Sequence, residues 1–170
     1  MFFLETITHN LIAVYIQILC FQFLIFPFNV IFTVIFAYLS HIIVDAFSII
    51  TYHTPDAHKD DRFWLIWHII IYALSAFSIV IFIIPFWLSI ISANIMDLWD
   101  WFIARPIQRR KKKKDPESEW KNPLYLHSSV DWFRKNLLFW LPRWNYKKGG
   151  VVIEIIVILI SCILLVPYYI

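Results

Sequence analysis

His41 and Asp45 stand four residues apart in "SHIIVDAF" (40–47), and the same spacing returns at His127 and Asp131 in "LHSSVDWF" (126–133). Asp97 and Asp100, in "NIMDLWDWF", are three apart. On a helix, residues at i and i+3 or i+4 share a face, so each pair offers two ligands in one direction. Carboxylate and imidazole pairs delivered by several helices are how helical bundles hold one or two divalent metals. With no Cys beside these pairs, the donor set suits zinc, manganese or iron better than a thiolate-selective metal. Such an ion lowers the pKa of bound water towards ~7 and supplies hydroxide for hydrolysis. His53, in the polar stretch "TYHTPDAHKDDR" (51–62), is a further donor. The expected metal ligands are therefore His41, Asp45, His53 and His127. Asp97, Asp100 or Asp131 would serve as a ligand or general base.

Each of these residues also has a plainer reading. An intramembrane His–Asp pair can be a hydrogen bond that locks two helices together. Asp97 and Asp100 can cap a span where it meets water, and His53 and His58 sit beside "TPD" and "KDD", where solvated turn chemistry is ordinary. His68 can bond a neighbouring helix, and Glu154 can pair with Lys147 or Lys148 or snorkel towards water. His9 and Glu5, close to the N-terminus, receive no role.

The elements that carry these groups are apolar. Of 170 residues, 61% are hydrophobic and 19% aromatic, with only 2 Gly. Several stretches reach the ~20 apolar residues that cross a ~30 Å hydrocarbon core. That makes the chain an all-α, polytopic transmembrane bundle of about five spans. Residues 8–26 form the first span, and Pro27 breaks it from a second at 28–50. The run from Phe63 to Ile103 is too long for one crossing at ~1.5 Å per residue. Pro85 divides it into 63–84 and 86–104, and a last span covers 151–170. A four-span alternative keeps one tilted helix over 63–93. The N-terminus has no basic start or small-residue cleavage site, so the first run is expected to stay as a span. The chain thus reads as a four-span bundle (1–104), a basic segment (105–150) and a C-terminal span (151–170). Within the basic segment, "HSSVDWFRKNLLFWL" has helical apolar spacing, and Trp132, Trp140 and Trp144 suit a helix lying at the lipid interface.

All 15 Lys and Arg lie in two places, the 51–62 loop and residues 105–148. Basic residues mark the cytoplasmic side. With five spans both places share that side, the N-terminus is inside and the C-terminus opposite; with four they do not. "RRKKKK" (109–114) then reads as a topology determinant resting on anionic headgroups, with membrane lipids as partners and no nucleic acid. On this topology His41, Asp45, His68, Asp97, Asp100 and Glu154 all fall within ~15 Å of one membrane face at a rise of 1.5 Å per residue. Intramembrane ionisable groups usually face a bundle interior or wet cavity, so several spans delivering them to one depth suggest one polar site.

The run "SHIIVDA…YHTPDA…FW" resembles the membrane-bound metal-dependent hydrolases, the LexA-binding, inner-membrane-associated family. Members carry a His-x-x-x-Asp pair near a span end, then a further His and a Pro-Asp. His41, Asp45, His53 and Asp56 match that pattern, "MDLWDWF" is similar to the family's paired aspartates, and "LHSS" to its His-Ser element. The match is best over residues 40–68. It implies a metal site more strongly than a reaction. Two functions follow. One is a divalent-metal hydrolase at the cytoplasmic leaflet, acting on a phosphoester or lipid headgroup drawn in by the basic segment. The other is a small non-catalytic subunit of a larger membrane complex, its polar pairs serving as interhelical bonds. Haem held by His41 and His68 is a minor third option. No P-loop, nucleophile elbow or Rossmann glycine pattern is present.

Overall fold

The computed structural model describes residues 6–52, 54, 60–115 and 126–168. Its elements in chain order are α1 (Thr6–Phe23), α2 (Phe28–Phe47), α3 (Arg62–Phe82), α4 (Trp87–Trp99), α5 (Arg105–Lys114), α6 (Ser128–Asn136) and α7 (Gly150–Leu165). A single 3₁₀ turn, Ser48–Ile50, extends α2, and a π-helical turn, Asp100–Ala104, joins α4 to α5. No strand occurs among the described residues. The all-α expectation holds.

The breaks fall where the backbone chemistry demands them. Pro85 lies in the turn between α3 and α4, where its missing N–H and fixed φ end one helix and precede the next. The single tilted helix over 63–93 is thereby excluded. Asp61 starts α3 as its N-cap, its carboxylate accepting from the Phe63 amide at 2.9 Å. Among the described residues, α1, α2 with its 3₁₀ turn, α3 and α7 with its closing turn are long and apolar enough to cross a membrane. At 13 residues α4 alone is too short. It runs on through the π turn to Ala104.

Packing is inverted relative to a water-soluble protein. Outward positions are Ile31, Ile35, Leu39 and Ile43 on α2, Ile66, Ile69, Phe77 and Val80 on α3, and Val152, Ile156 and Ile163 on α7. An exposed apolar surface this continuous calls for lipid. Inward are Thr8, Asn10, Thr33, Ser78 and Ser89, all buried. Ala13, Ala37 and Ala93, with no exposure, form the contact of α1, α2 and α4. With so few glycines, alanine supplies the small side chains that let membrane helices approach. Polar side chains then tie the bundle: Asn94 donates to Asn10 Oδ1 and Asn10 donates to Ser78 Oγ, both at 2.8 Å. Gln17 Oε1 accepts from the Ser89 amide at 3.1 Å, satisfying a donor in the first turn of α4.

The two basic segments meet at one end of the bundle. Lys148 Nζ lies 2.9 Å from Asp61 Oδ2, and the Trp144 and Asn145 amides both donate to the Ile49 carbonyl. Cysteines placed at Asp60 and Lys114, both exposed, should therefore react with an impermeant maleimide from the same side of the membrane. A cysteine at Tyr168 should react from the other. Opposite accessibility of Asp60→Cys and Lys114→Cys would refute this arrangement.

Gly150 makes the same end close. A Cβ there would stand 2.6 Å from the Tyr52 amide nitrogen and 2.7 Å from the Thr51 carbonyl carbon, so α7 and the chain after α2 can meet only at glycine. Gly150→Ala should lower stability by about 1–3 kcal/mol, as overpacking against backbone does. Gly149→Ala, which meets nothing within 4 Å, should stay within about 0.5 kcal/mol of wild type in the same thermal unfolding measurement.

Candidate metal centre

Where α1 begins and α2 and α4 end, their buried ionisable groups converge, and α6 closes over them. α1 contributes His9, α2 contributes His41 and Asp45, and α4 with its π turn contributes Asp97 and Asp100. His127 enters from the residue just before α6. His41, Asp100, His9 and His127 are 0%, 1%, 2% and 6% exposed. α6 is held there by Val130 and by Leu138 just after it, both buried against Ala46 and Met96, and by Arg134. The Arg134 guanidinium donates to the Asp45 carbonyl, the Ser48 hydroxyl and, at 3.4 Å, the Ala46 carbonyl. These lie at the C-terminal end of α2, a place that favours a cation.

Asp45 is the hub. Its Oδ1 faces His9 Nε2 at 3.1 Å, while its Oδ2 lies 3.3 Å from His41 Nε2 and 3.1 Å from His127 Nε2. His127 Nε2 is also 3.3 Å from Asp97 Oδ1. The His41 and His127 ring centroids are 5.6 Å apart, and His9 stacks on His41 at 4.3 Å. Behind His127, Asp100 accepts from Nδ1 and, through its other oxygen, from the Leu126 amide at 3.1 Å. A carboxylate on the far nitrogen of an imidazole fixes the tautomer and aims the near nitrogen, the usual second layer of a metal site. Asp100 thus stands behind the centre rather than at it.

The inner atoms are spaced as ligands. A tetrahedral ion with bonds of 2.0–2.1 Å has donor–donor edges of about 3.3 Å. Three of the approaches match that edge: Asp45 Oδ2 is 3.3 Å from His41 Nε2 and 3.1 Å from His127 Nε2, and Asp97 Oδ1 is 3.3 Å from His127 Nε2. Two overlapping trios have donor atoms close enough for one ion, His41–Asp97–His127 and His9–His41–Asp45. Neither ring nitrogen of His41 makes a hydrogen bond, although Nε2 lies 3.3 Å from Asp45 Oδ2. A fully buried imidazole left in that state costs free energy, which coordination would offset. Burial pulls the pKa of His127 down, but hydrogen bonds with Asp45, Asp97 and Asp100 outweigh it and raise the value to about 10.

The candidates read from sequence divide as follows. His41, Asp45, His127, Asp97 and Asp100 come together. Asp131 does not: its side chain is 70% exposed and faces Arg134 at 3.7 Å. His127 precedes α6 and its ring turns into the bundle, whereas Asp131 lies in the first turn of α6 on the outer side. The two do not share a face. His53 and Asp56 lie outside the described residues. His68 belongs to a separate aromatic cluster, stacked on Trp64 at 3.9 Å with Nδ1 bonded to the Trp64 carbonyl at 2.6 Å, so it bonds its own helix and not a neighbour. Glu154 pairs with neither Lys147 nor Lys148 in the way expected; it is buried and accepts from Trp67 Nε1 at 3.3 Å. The polybasic run is not a loop but the exposed helix α5, continuous with the π turn that holds Asp100. His9 was the residue the sequence reading left out. Its only signal was the polar run Thr6, Thr8, His9, Asn10 at the head of an apolar helix.

A π turn inside a helix is uncommon and is found mainly at functional sites. Here it sits where Asp100 must be rotated towards Leu126 and His127. No family model, no curated protein and no solved structure matches this chain.

Proposed function

We propose that this integral membrane protein is a divalent-metal-dependent hydrolase of the kind suggested by its resemblance to the LexA-binding, inner-membrane-associated family. The observation that carries the reading is His41, wholly buried, without a hydrogen bond at either ring nitrogen, and shared by two groups of close donor atoms, one with Asp97 and His127 and one with His9 and Asp45. His41, Asp45, Asp97 and His127 would hold the ion. His9 would position Asp45, and Asp100 would position His127. When bound, the ion supplies Lewis acidity and lowers the pKa of water. The reaction class is phosphoester hydrolysis: water oxygen bonds to phosphorus, the ester P–O bond breaks, and the departing alkoxide takes the proton that water gives up. Asp97, which keeps some exposure at 12% of its side chain, would ligate through Oδ1 and hold that proton on its other oxygen. By the positive-inside rule the end bearing Arg62, Lys148 and α5 faces the cytoplasm.

Elemental analysis of protein purified without chelators tests this. About one zinc, manganese or iron per chain is the expected result. A protein that retains none, and takes none up on dialysis, would leave the cluster as an interhelical hydrogen-bond network, the part of a non-catalytic subunit.

A further inference from the structure

α3 and α4 both pack on α1 but scarcely touch each other beyond the turn at Pro85. The cleft this leaves between them is a groove with a cavity of about 180 Å³, open on the side of the bundle that carries exposed apolar residues. Ile79 of α3 and Ile83, which caps it, form one wall, and Ile91 and Leu98 of α4 the other. An apolar cavity of ~150 Å³ already accepts a benzene ring, so this one takes a run of methylenes. Along α4 the groove extends from Ile90 to Trp101, on the order of 16 Å at 1.5 Å per residue.

The groove carries a charged side chain at one end, its other polar lining groups being Thr6 and Asn94. Asp97 lines it there, and the same Asp97 presents Oδ1 to His127 in the cluster. Trp101 also lines that end, and the Arg105 guanidinium stacks on its ring at 4.4 Å. From Arg105 the chain runs into α5, with Arg109, Arg110 and Lys111 exposed. An apolar channel that begins at a bilayer-facing surface and ends between a metal-ligand carboxylate and a fixed cation is built for an amphiphile with an anionic head.

We infer that the groove between α3 and α4 admits an acyl chain of an anionic phospholipid from the bilayer and brings its phosphate to Asp97 and Arg105. The substrate of the site is then a membrane lipid and not a soluble phosphoester. The chain-binding part stands on the groove alone; the headgroup part rests on the metal reading, because a phosphate beside Asp97 is attracted only if an ion is present.

The test uses the full chain in nanodiscs of phosphatidylglycerol doped with phosphatidylglycerol carrying a diazirine in one acyl chain. After photolysis, labels should fall on Ile79, Ile83, Ile91 and Leu98 at least tenfold more than on Ile156 of α7, which is also lipid-facing. Ile91→Trp and Leu98→Trp, which fill the groove at exposed positions, should each cut this labelling at least tenfold, whereas Ile91→Ala keeps it. Excess glycerol phosphate should not compete. Labels spread evenly over the outer faces of α2, α3 and α7, insensitivity to Ile91→Trp, or displacement by glycerol phosphate would each overturn the inference. Metal content measured on the same samples separates the two claims. Groove labelling without metal removes the metal reading and keeps chain binding. Metal without groove labelling does the reverse.

Discussion

His41→Leu will strip the divalent ion from the protein and leave its helices folded. Leucine is close to imidazole in bulk, so the substitution removes the donor without opening the cavity that alanine would leave at a 0%-exposed position. It also removes a buried polar group that has no hydrogen bond, so folding should lose little or gain. Metal affinity, by contrast, loses the ligand both candidate trios share. The expected fall is at least a hundredfold, from about one ion per chain to none after gel filtration. Asp100→Asn should fall between wild type and that extreme. The amide still accepts from Leu126 but no longer holds His127 as a carboxylate does, and outer carboxylates of this kind are worth ~10–100-fold in affinity. Asp131→Asn should change nothing, its side chain being out in solvent. Elemental analysis and far-UV circular dichroism on the three variants decide the matter. Full metal retention by His41→Leu, or loss in Asp131→Asn equal to that in His41→Leu, would end the proposed assignment.

The order of those effects also marks where sequence patterning was informative. The spans were legible because lipid leaves no alternative to long apolar helices, and the α3–α4 break because proline cannot continue a backbone hydrogen-bond ladder. The His41–Asp45 pair was legible because α2 is regular throughout that turn, so i and i+4 do share a face. The same spacing misled at His127 and Asp131. It assumed that the helix begins at His127, whereas His127 is the cap residue and α6 starts after it and ends at Asn136, short of the apolar run to Leu141. His9 was illegible for a different reason. It has no partner at helical spacing, and its partner Asp45 is 36 residues away on another helix. Helicity of the polybasic run was missed because charge was weighed for topology only, although Arg, Lys and Gln are good helix formers once α4 supplies the nucleus.

Arg134→Met should free His127 from the site without dismantling the bundle. His127 is the one proposed ligand that no bundle helix carries, so its position depends on how firmly α6 sits on the end of α2. Two things hold α6 there. One is apolar, with Val130 and Leu138 against Ala46 and Met96. The other is Arg134, which binds three acceptors at the α2 terminus: the Asp45 and Ala46 carbonyls and the Ser48 hydroxyl. Charge-assisted hydrogen bonds are worth ~1.5–3 kcal/mol each when buried. Arg134 is 31% exposed, so we discount the set to about 2–3 kcal/mol in all. At 1.4 kcal/mol per decade that weakens docking by ~30–150-fold. Methionine keeps the apolar stem, so the loss measures the guanidinium. Lysine should not rescue, since one ammonium cannot reach three acceptors arranged for a planar fork. Chelator-driven metal release should speed up by a similar factor, and amide exchange across 126–136 should lose protection while α2 and α4 keep theirs. Lys135→Met, one residue along on the exposed side, is the control and should match wild type. Equal release rates for Arg134→Met and Lys135→Met would show that α6 is held by its apolar contacts alone and that His127 needs no clamp.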